Sequence, residues 1–217
     1  MNHTPHIVFA TPASLRLTRC AVSTLFFING MVLASWVPHI PAVKARHAIN
    51  DGQLGLLLLS MAVGSVLALP LAGWLISRYS SRRISRIAAL GFCLTLPLLL
   101  LSPTIGLLAS ALLLFGACNG ILDVAMNAQA VDIERDYGRP IMSSFHGLFS
   151  LGGLVGASVA GTAMSFGIGD IHHVTTITLL AVCGVATVLR WLVASPPQQE
   201  ERTPLFVKPT RLLFGLG

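Results

Sequence analysis

Residues 54–76 read LGLLLLSMAVGSVLALPLAGWLI, and residues 77–83, which follow directly, read SRYSSRR. The first stretch contains no charged side chain in 23 positions. A bilayer core about 30 Å thick is crossed by a helix of about 20 apolar residues. The second stretch places Arg78, Arg82 and Arg83 at the end of that helix. An apolar run of this length with a basic end predicts a membrane span with an anchored end.

Five further segments have the same character, so the sequence predicts an all-α, polytopic membrane protein. The six predicted transmembrane helices are residues 19–41, 54–76, 84–101, 105–131, 142–166 and 174–194. Apolar residues make up 54% of the chain and charged residues 10%, as helices surrounded by lipid require. The lipid bilayer is therefore the first expected partner. Pro38 and Pro41 are expected to end the first span, and Asp51 is expected to cap the second.

The basic residues fall almost entirely on one side of this bundle. Only Lys44 and Arg46 lie in a link on the other side. The remaining twelve are Arg16, Arg19, Arg78, Arg82, Arg83, Arg86, Arg135, Arg139, Arg190, Arg202, Lys208 and Arg211. Because Lys- and Arg-rich loops stay in the cytoplasm, we expect a multi-pass protein of the inner (plasma) membrane with both ends of the bundle cytoplasmic. Contact with anionic lipid then accounts for the net charge of +6, and nucleic acid is not an expected partner.

The segments outside the spans have distinct compositions. Residues 1–18 lack the apolar core of a cleavable signal peptide and are predicted to form a cytoplasmic tail. Residues 195–210 contain four prolines, which is typical of a linker. Residues 211–217 begin a new apolar run, which we interpret as the start of a truncated seventh span.

An internal sequence similarity divides the six spans into two sets of three. Asn29, followed by glycine, recurs as Asn119, again followed by glycine, 90 residues later. Gly64 recurs as Gly152, 88 residues later. Repeats of this kind build many secondary transporters. The sequence therefore predicts a 3+3 pseudo-repeat.

The link between the second and third spans, GWLISRYSSRR at residues 73–83, resembles the signature loop of the major facilitator superfamily, G-x-L-x-D-R-x-G-R-[RK]. The matching positions include Gly73, Leu75, Arg78 and Arg82. Ser77 stands in place of the family's acidic residue, and Ser80 in place of its loop glycine. The resemblance implies a conformational gating loop whose members here are Gly73, Arg78, Arg82 and Arg83.

A second stretch, from DVAMNAQA at 123–130 to RPIMSSFHG at 139–147, is similar to bacterial inner-membrane permeases distantly related to fucose-type sugar symporters. The resemblance implies that the chain forms the N-terminal six-helix bundle of a transporter with twelve spans. Its expected partner is then a C-terminal six-helix half or a second copy of the chain.

Polar residues of the fourth span suggest a transport site. Asn119, Asp123 and Asn127 are spaced at i, i+4 and i+8, which places them on one helix face. An ionisable residue at mid-membrane costs roughly 2.5–3.5 kcal/mol on insertion scales, so Asp123 should face protein or a wet cavity. There it could couple transport to protons, or it could only hydrogen-bond a neighbouring helix. Asn29 and the two span-four asparagines are candidates for binding substrate, although Asn29 could equally serve helix packing.

Other polar residues allow two interpretations. His146 could change its charge near physiological pH and assist Asp123, or it could be an ordinary interfacial histidine. His172 and His173 are expected in a solvated loop, because two adjacent histidines alone are weak evidence for metal. No catalytic residue, metal site or cofactor is predicted, and no signature of an enzyme occurs.

These observations favour secondary active transport of a small polar solute by alternating access, coupled to protons. The alternative is a truncated or half-size six-span membrane protein without transport activity of its own.

Overall fold

The computed structural model describes residues 12–193, in which seven α-helices and no strand occur. The helices are α1 (Pro12–Ser35), α2 (Ile40–Arg46), α3 (Asp51–Tyr79), α4 (Ser81–Leu101), α5 (Ile105–Tyr137), α6 (Met142–Ser165) and α7 (Asp170–Val188). They supply six stretches long and apolar enough to cross a membrane, with α1 and α2 sharing the first. The predicted all-α, six-span fold class is thereby confirmed. The start of the predicted N-terminal tail, the predicted proline-rich linker and the segment interpreted as the start of a seventh span lie outside the described residues.

The first span is divided near its end. The helix α1 stops at Ser35, a short 3₁₀ turn covers Val37–His39, and α2 then begins at Ile40. Pro38 lies in the first turn of the 3₁₀ segment and Pro41 in the first turn of α2. Proline is accepted there because the first N–H groups of a helix have no internal partner. The two prolines therefore begin new helical segments as well as follow the end of α1.

Local signals place several helix ends differently from the sequence prediction. The cap of α3 is Asn50 and not Asp51, because the Asn50 side chain accepts from the backbone N–H of Gln53 while the Gln53 side chain accepts from that of Asn50. This is a capping box. The helix α5 continues six residues beyond 131, since the first residue able to end it is Gly138 at φ +69°.

The two most extensive helix pairs are α1 with α6 and α3 with α5, which are equivalent under the 3+3 repeat. Glycines let the backbones touch in both pairs. A Cβ atom on Gly152 would collide with the carbonyl oxygen of Phe27, and one on Gly64 with that of Leu113. Gly30 meets Phe149 in the same way. The repeated small residues thus form equivalent helix crossings, as small residues do at membrane helix interfaces.

Buried aromatic rings fill the centre of the bundle. Phe92 stacks on Phe115 with ring centroids 4.5 Å apart, and Phe26 stacks on Phe145 at 5.4 Å. The helices α3 and α6 are the least covered of the spans. The bundle therefore presents broad apolar faces outward, while α1 and α5 carry the central polar residues.

Candidate functional site

Asp123 projects from the middle of α5, and its side chain is exposed at the surface of the bundle. Asn127, one turn further along, donates from Nδ2 to Asp123 Oδ1 over 3.2 Å and to the Asp123 backbone carbonyl over 2.8 Å. The i, i+4 spacing recognised in the sequence is therefore realised as a direct hydrogen bond. The carboxylate keeps further acceptor positions open towards the outside of the bundle.

The other two asparagines are placed differently. Asn119 is half-buried, and its Oδ1 atom has no hydrogen-bond partner among residues 12–193. Asn29 is only 1% exposed, and its Nδ2 atom likewise lacks a partner in the described part of the chain. Neither side chain hydrogen-bonds Asp123. The structure thus brings Asn127 to the carboxylate and leaves Asn29 inside the helix packing.

His146 lies near the start of α6 and is exposed. Its ring packs edge-on against Phe26 with a centroid distance of 5.4 Å. His146 on α6 and Asp123 on α5 are both exposed at the surface of the bundle. Both ionisable side chains expected at the site are therefore accessible from outside the bundle.

The residues of the signature loop have separate environments. Gly73 faces open space, since a Cβ atom there would meet nothing within 4 Å. Arg78 lies over the Tyr79 ring at 5.8 Å. Arg82 donates from Nη2 to the Arg190 carbonyl oxygen over 2.8 Å. Arg82 thereby ties the start of α4 to the chain that follows α7.

Two serines occupy positions where the family motif has other residues. Ser77, at the acidic position, donates its hydroxyl to the Trp74 carbonyl of its own helix over 2.8 Å. Ser80, at the glycine position, joins α3 to α4 with φ +78° and ψ 148°. L-residues rarely adopt this conformation, which glycine adopts freely. The link between α3 and α4 therefore holds a serine in a backbone conformation that favours glycine.

Gln129, which was not among the predicted site residues, is fully buried in α5. Its Nε2 donates to Ser81 Oγ over 2.7 Å and to the Val193 carbonyl over 3.1 Å, while its Oε1 accepts from the Val193 N–H over 2.7 Å. Gln129 thus joins α5, the start of α4 and the segment after α7. The feature of the sequence that could have indicated this role is a glutamine close to the predicted end of a span.

The expectation of a solvated loop was wrong for His173. This residue is 4% exposed, because α7 begins at Asp170 and turns His173 into the bundle. His39 Nε2 lies 2.9 Å from His173 Nδ1, and His39 Nδ1 lies 2.9 Å from Asp170 Oδ1. The Asp170 carboxylate accepts a hydrogen bond from the Nδ1–H group of His39. This buried network links the end of the first span to the start of the sixth.

Comparisons with known proteins identify the family. The family model of the Major Facilitator Superfamily matches residues 22–215. An uncharacterized MFS-type transporter of Yersinia pestis is 41% identical over 192 residues, which are 88% of this chain and 50% of that protein.

Two rhizobial proteins show similar relationships. The membrane protein MosC of Rhizobium meliloti is 44% identical over 179 residues, which are 82% of this chain and 42% of MosC. An uncharacterized transporter of Sinorhizobium fredii is 37% identical over 172 residues, which are 78% of this chain and 46% of that protein. The chain spans about half the length of the curated relatives it matches. With six membrane-spanning stretches and a family match over most of its length, the chain belongs to the major facilitator superfamily, a family of transporters and not of enzymes.

Proposed function

We propose that this chain is the N-terminal half of a secondary active transporter that moves a small polar solute by alternating access, with protons as the driving ion. The observation that carries this proposal is Asp123. It is a carboxylate in the middle of an apolar helix, exposed at the bundle surface and joined to Asn127. Ionisable residues inside membrane spans face cavities or pathways and mark proton or substrate routes.

The neighbours of Asp123 support a proton-coupling role. When ionised, the carboxylate accepts from Asn127, and when protonated it can still accept at its carbonyl oxygen. His146, exposed near the start of α6, contributes a second ionisable side chain. Together the two residues place ionisable groups on α5 and α6, where protonation could be linked to the arrangement of these helices.

The remaining polar groups suit an uncharged, hydroxyl- or amide-bearing solute. Asn119 offers an acceptor without a partner among residues 12–193, and Asn127 lies beside the carboxylate, so the face of α5 combines hydrogen-bond donors and acceptors with one ionisable group. Asn29 is a less direct candidate for substrate contact, because only 1% of it is exposed. A movement of α1 relative to α6 would be needed to uncover it.

The location and partners follow from the same proposal. The basic end of the bundle faces the cytoplasm, the protein resides in the inner membrane, and a second six-helix half packs against the exposed apolar faces. The least covered helix, α3, carries much of that surface. Its exposed apolar residues include Leu56, Leu59, Val63, Val66, Leu67 and Leu71. Together the two halves would form the midplane cavity that alternating access requires.

The proposal is tested by transport assays on the full-length gene product in proteoliposomes. A panel of radiolabelled sugars, polyols and amino acids is supplied, and accumulation is measured with and without an acid-outside pH gradient. We expect at least one solute to accumulate only with the gradient. The same assay on residues 1–217 alone should give no accumulation, because one bundle cannot alternate around a shared site.

Substitutions at two aspartates separate coupling from general damage. Asp123→Asn retains the shape of the side chain and removes its titration, so accumulation should be lost while solute exchange persists. Asp51→Asn is the matched control, because Asp51 is exposed at the start of α3 and pairs with Lys44 at the surface. Unchanged accumulation in Asp123→Asn would refute proton coupling through this residue. Accumulation by residues 1–217 alone would refute the half-transporter assignment.

A further inference from the structure

An apolar groove runs between α3 and α4, with α5 as its floor. Its volume is about 350 Å³, and its lining includes Leu75, Tyr79, Arg83, Ile87, Gly91 and Cys118. Arg83 lies near the start of α4, and Gly91 lies eight residues further along. At 1.5 Å per residue the groove therefore follows α4 for about 12 Å into the bilayer.

Arg83 lies at the open end of this groove, and its hydrogen bonding differs from that of the neighbouring arginines of α4. Arg82 donates to the Arg190 carbonyl, and Arg86 donates twice to the Leu189 carbonyl. No hydrogen bond or ion pair joins Arg83 to any other residue of the described range 12–193, and the side chain is exposed. Its five guanidinium N–H donors are therefore available to an anion.

Two aromatic side chains indicate how deep in the membrane the Arg83 end of the groove lies. Trp74 and Tyr79 pack edge to face with a centroid distance of 6.4 Å. They are 54% and 39% exposed, respectively. Exposed Trp and Tyr residues of membrane helices lie at the level of the lipid headgroups. The Arg83 guanidinium, beside Tyr79, is thus placed where lipid phosphates occur.

We propose that this groove binds one anionic phospholipid, with the phosphate on Arg83 and an acyl chain along α4 as far as Gly91. The free cation and the apolar channel beneath it complement the two parts of such a lipid, as basic pockets between membrane helices do. The glycine at position 91 keeps the deep end open, because a Cβ atom there would already lie 3.3 Å from Cys118 Sγ. The inference requires only that the helices span a membrane and is independent of solute, proton coupling and orientation.

Native mass spectrometry of the protein purified in a mild detergent tests the proposal. The probes are dioleoyl phosphatidylglycerol, dioleoyl phosphatidylcholine and glycerol 3-phosphate. We expect the wild type to retain phosphatidylglycerol in preference to phosphatidylcholine, and glycerol 3-phosphate, which lacks acyl chains, should not displace it. Arg83→Gln should reduce phosphatidylglycerol binding about tenfold, the effect of losing a charged hydrogen bond. Arg83→Lys should restore part of the binding, because lysine keeps the charge without the planar fork.

Two matched controls locate the effect. Arg78→Gln removes a neighbouring positive charge outside the groove and should leave the lipid preference unchanged. Gly91→Leu fills the deep end and should weaken binding of phosphatidylglycerol, whereas Gly73→Leu, at a glycine facing open space, should not. Equal binding of the two lipids, equal losses in Arg78→Gln and Arg83→Gln, or displacement by glycerol 3-phosphate would each overturn the proposal. Failure of the wild type to retain any phosphatidylglycerol would overturn it as well.

Discussion

Replacing Ser80 by glycine should stabilise the protein. Ser80 is the only residue between α3 and α4, and its φ of +78° with ψ of 148° lies in a region nearly restricted to glycine. Such a conformation costs a non-glycine residue about 1–3 kcal/mol. The Ser80 hydroxyl makes no capping hydrogen bond at the start of α4, so removing it should cost little stability.

The expected gain is smaller than the strain itself. Glycine loses more conformational freedom on folding, which offsets about 0.5–1 kcal/mol. A net increase of up to about 2.5 kcal/mol in the free energy of unfolding remains. It can be measured by reversible unfolding in mixed micelles, with increasing sodium dodecyl sulfate and far-ultraviolet circular dichroism as the readout.

Ser77→Gly provides the matched control for this measurement. Ser77 lies inside α3, and its hydroxyl donates to the carbonyl of Trp74 in the same helix. Glycine at a helical position should lower the free energy of unfolding by about 0.5–1 kcal/mol. The two serine-to-glycine changes should therefore have opposite signs. A loss of stability in Ser80→Gly equal to that in Ser77→Gly would refute the assignment of strain to the loop.

Two further predictions concern the helix packing and the buried histidine network. Gly152→Ala should destabilise the fold by about 1–3 kcal/mol, because the added methyl group overpacks against the backbone of α1. Gly161→Ala, on the same helix but facing open space, should be neutral or slightly stabilising. Equal effects of the two changes in chemical unfolding would exclude a close α1–α6 crossing. Asp170→Ala should lower the free energy of unfolding by about 1–3 kcal/mol, because the buried His39 N–H loses its acceptor. Asp170→Asn should lower it less, since an amide oxygen can still accept. Equal losses in the two variants would show that the hydrogen bond from His39 contributes nothing to stability.

The sequence predicted those features that depend on long-range periodicity and composition. Six apolar runs are enough to identify six membrane helices, because in lipid the backbone N–H and C=O groups of each span must pair with one another, as they do in a helix. The shared helix face of Asp123 and Asn127 also followed from their spacing, and the structure adds the hydrogen bond between them. The paired crossings of α1 with α6 and α3 with α5 agree with the glycines that the repeat places in equivalent spans.

Features that depend on contacts between distant segments were not predictable in this way. His39 and His173 are separated by 134 positions, and nothing local in either segment indicates that they meet. The position of Gln129 beside Val193 depends likewise on how α7 ends against α4 and α5. Asn29 and Asn119 occupy equivalent repeat positions but differ in burial, because the two helices have different neighbours.

The most direct test of the account is the movement of protons with solute. Full-length protein is reconstituted in lightly buffered liposomes that contain a pH-sensitive dye, and a transported solute is added without an imposed gradient. We expect a solute-dependent proton flux in the wild type and in Asp51→Asn, and none in Asp123→Asn, while Asp123→Asn still exchanges labelled for unlabelled solute. An equal solute-dependent proton flux in wild type and Asp123→Asn would contradict the central claim that Asp123 carries the coupled proton.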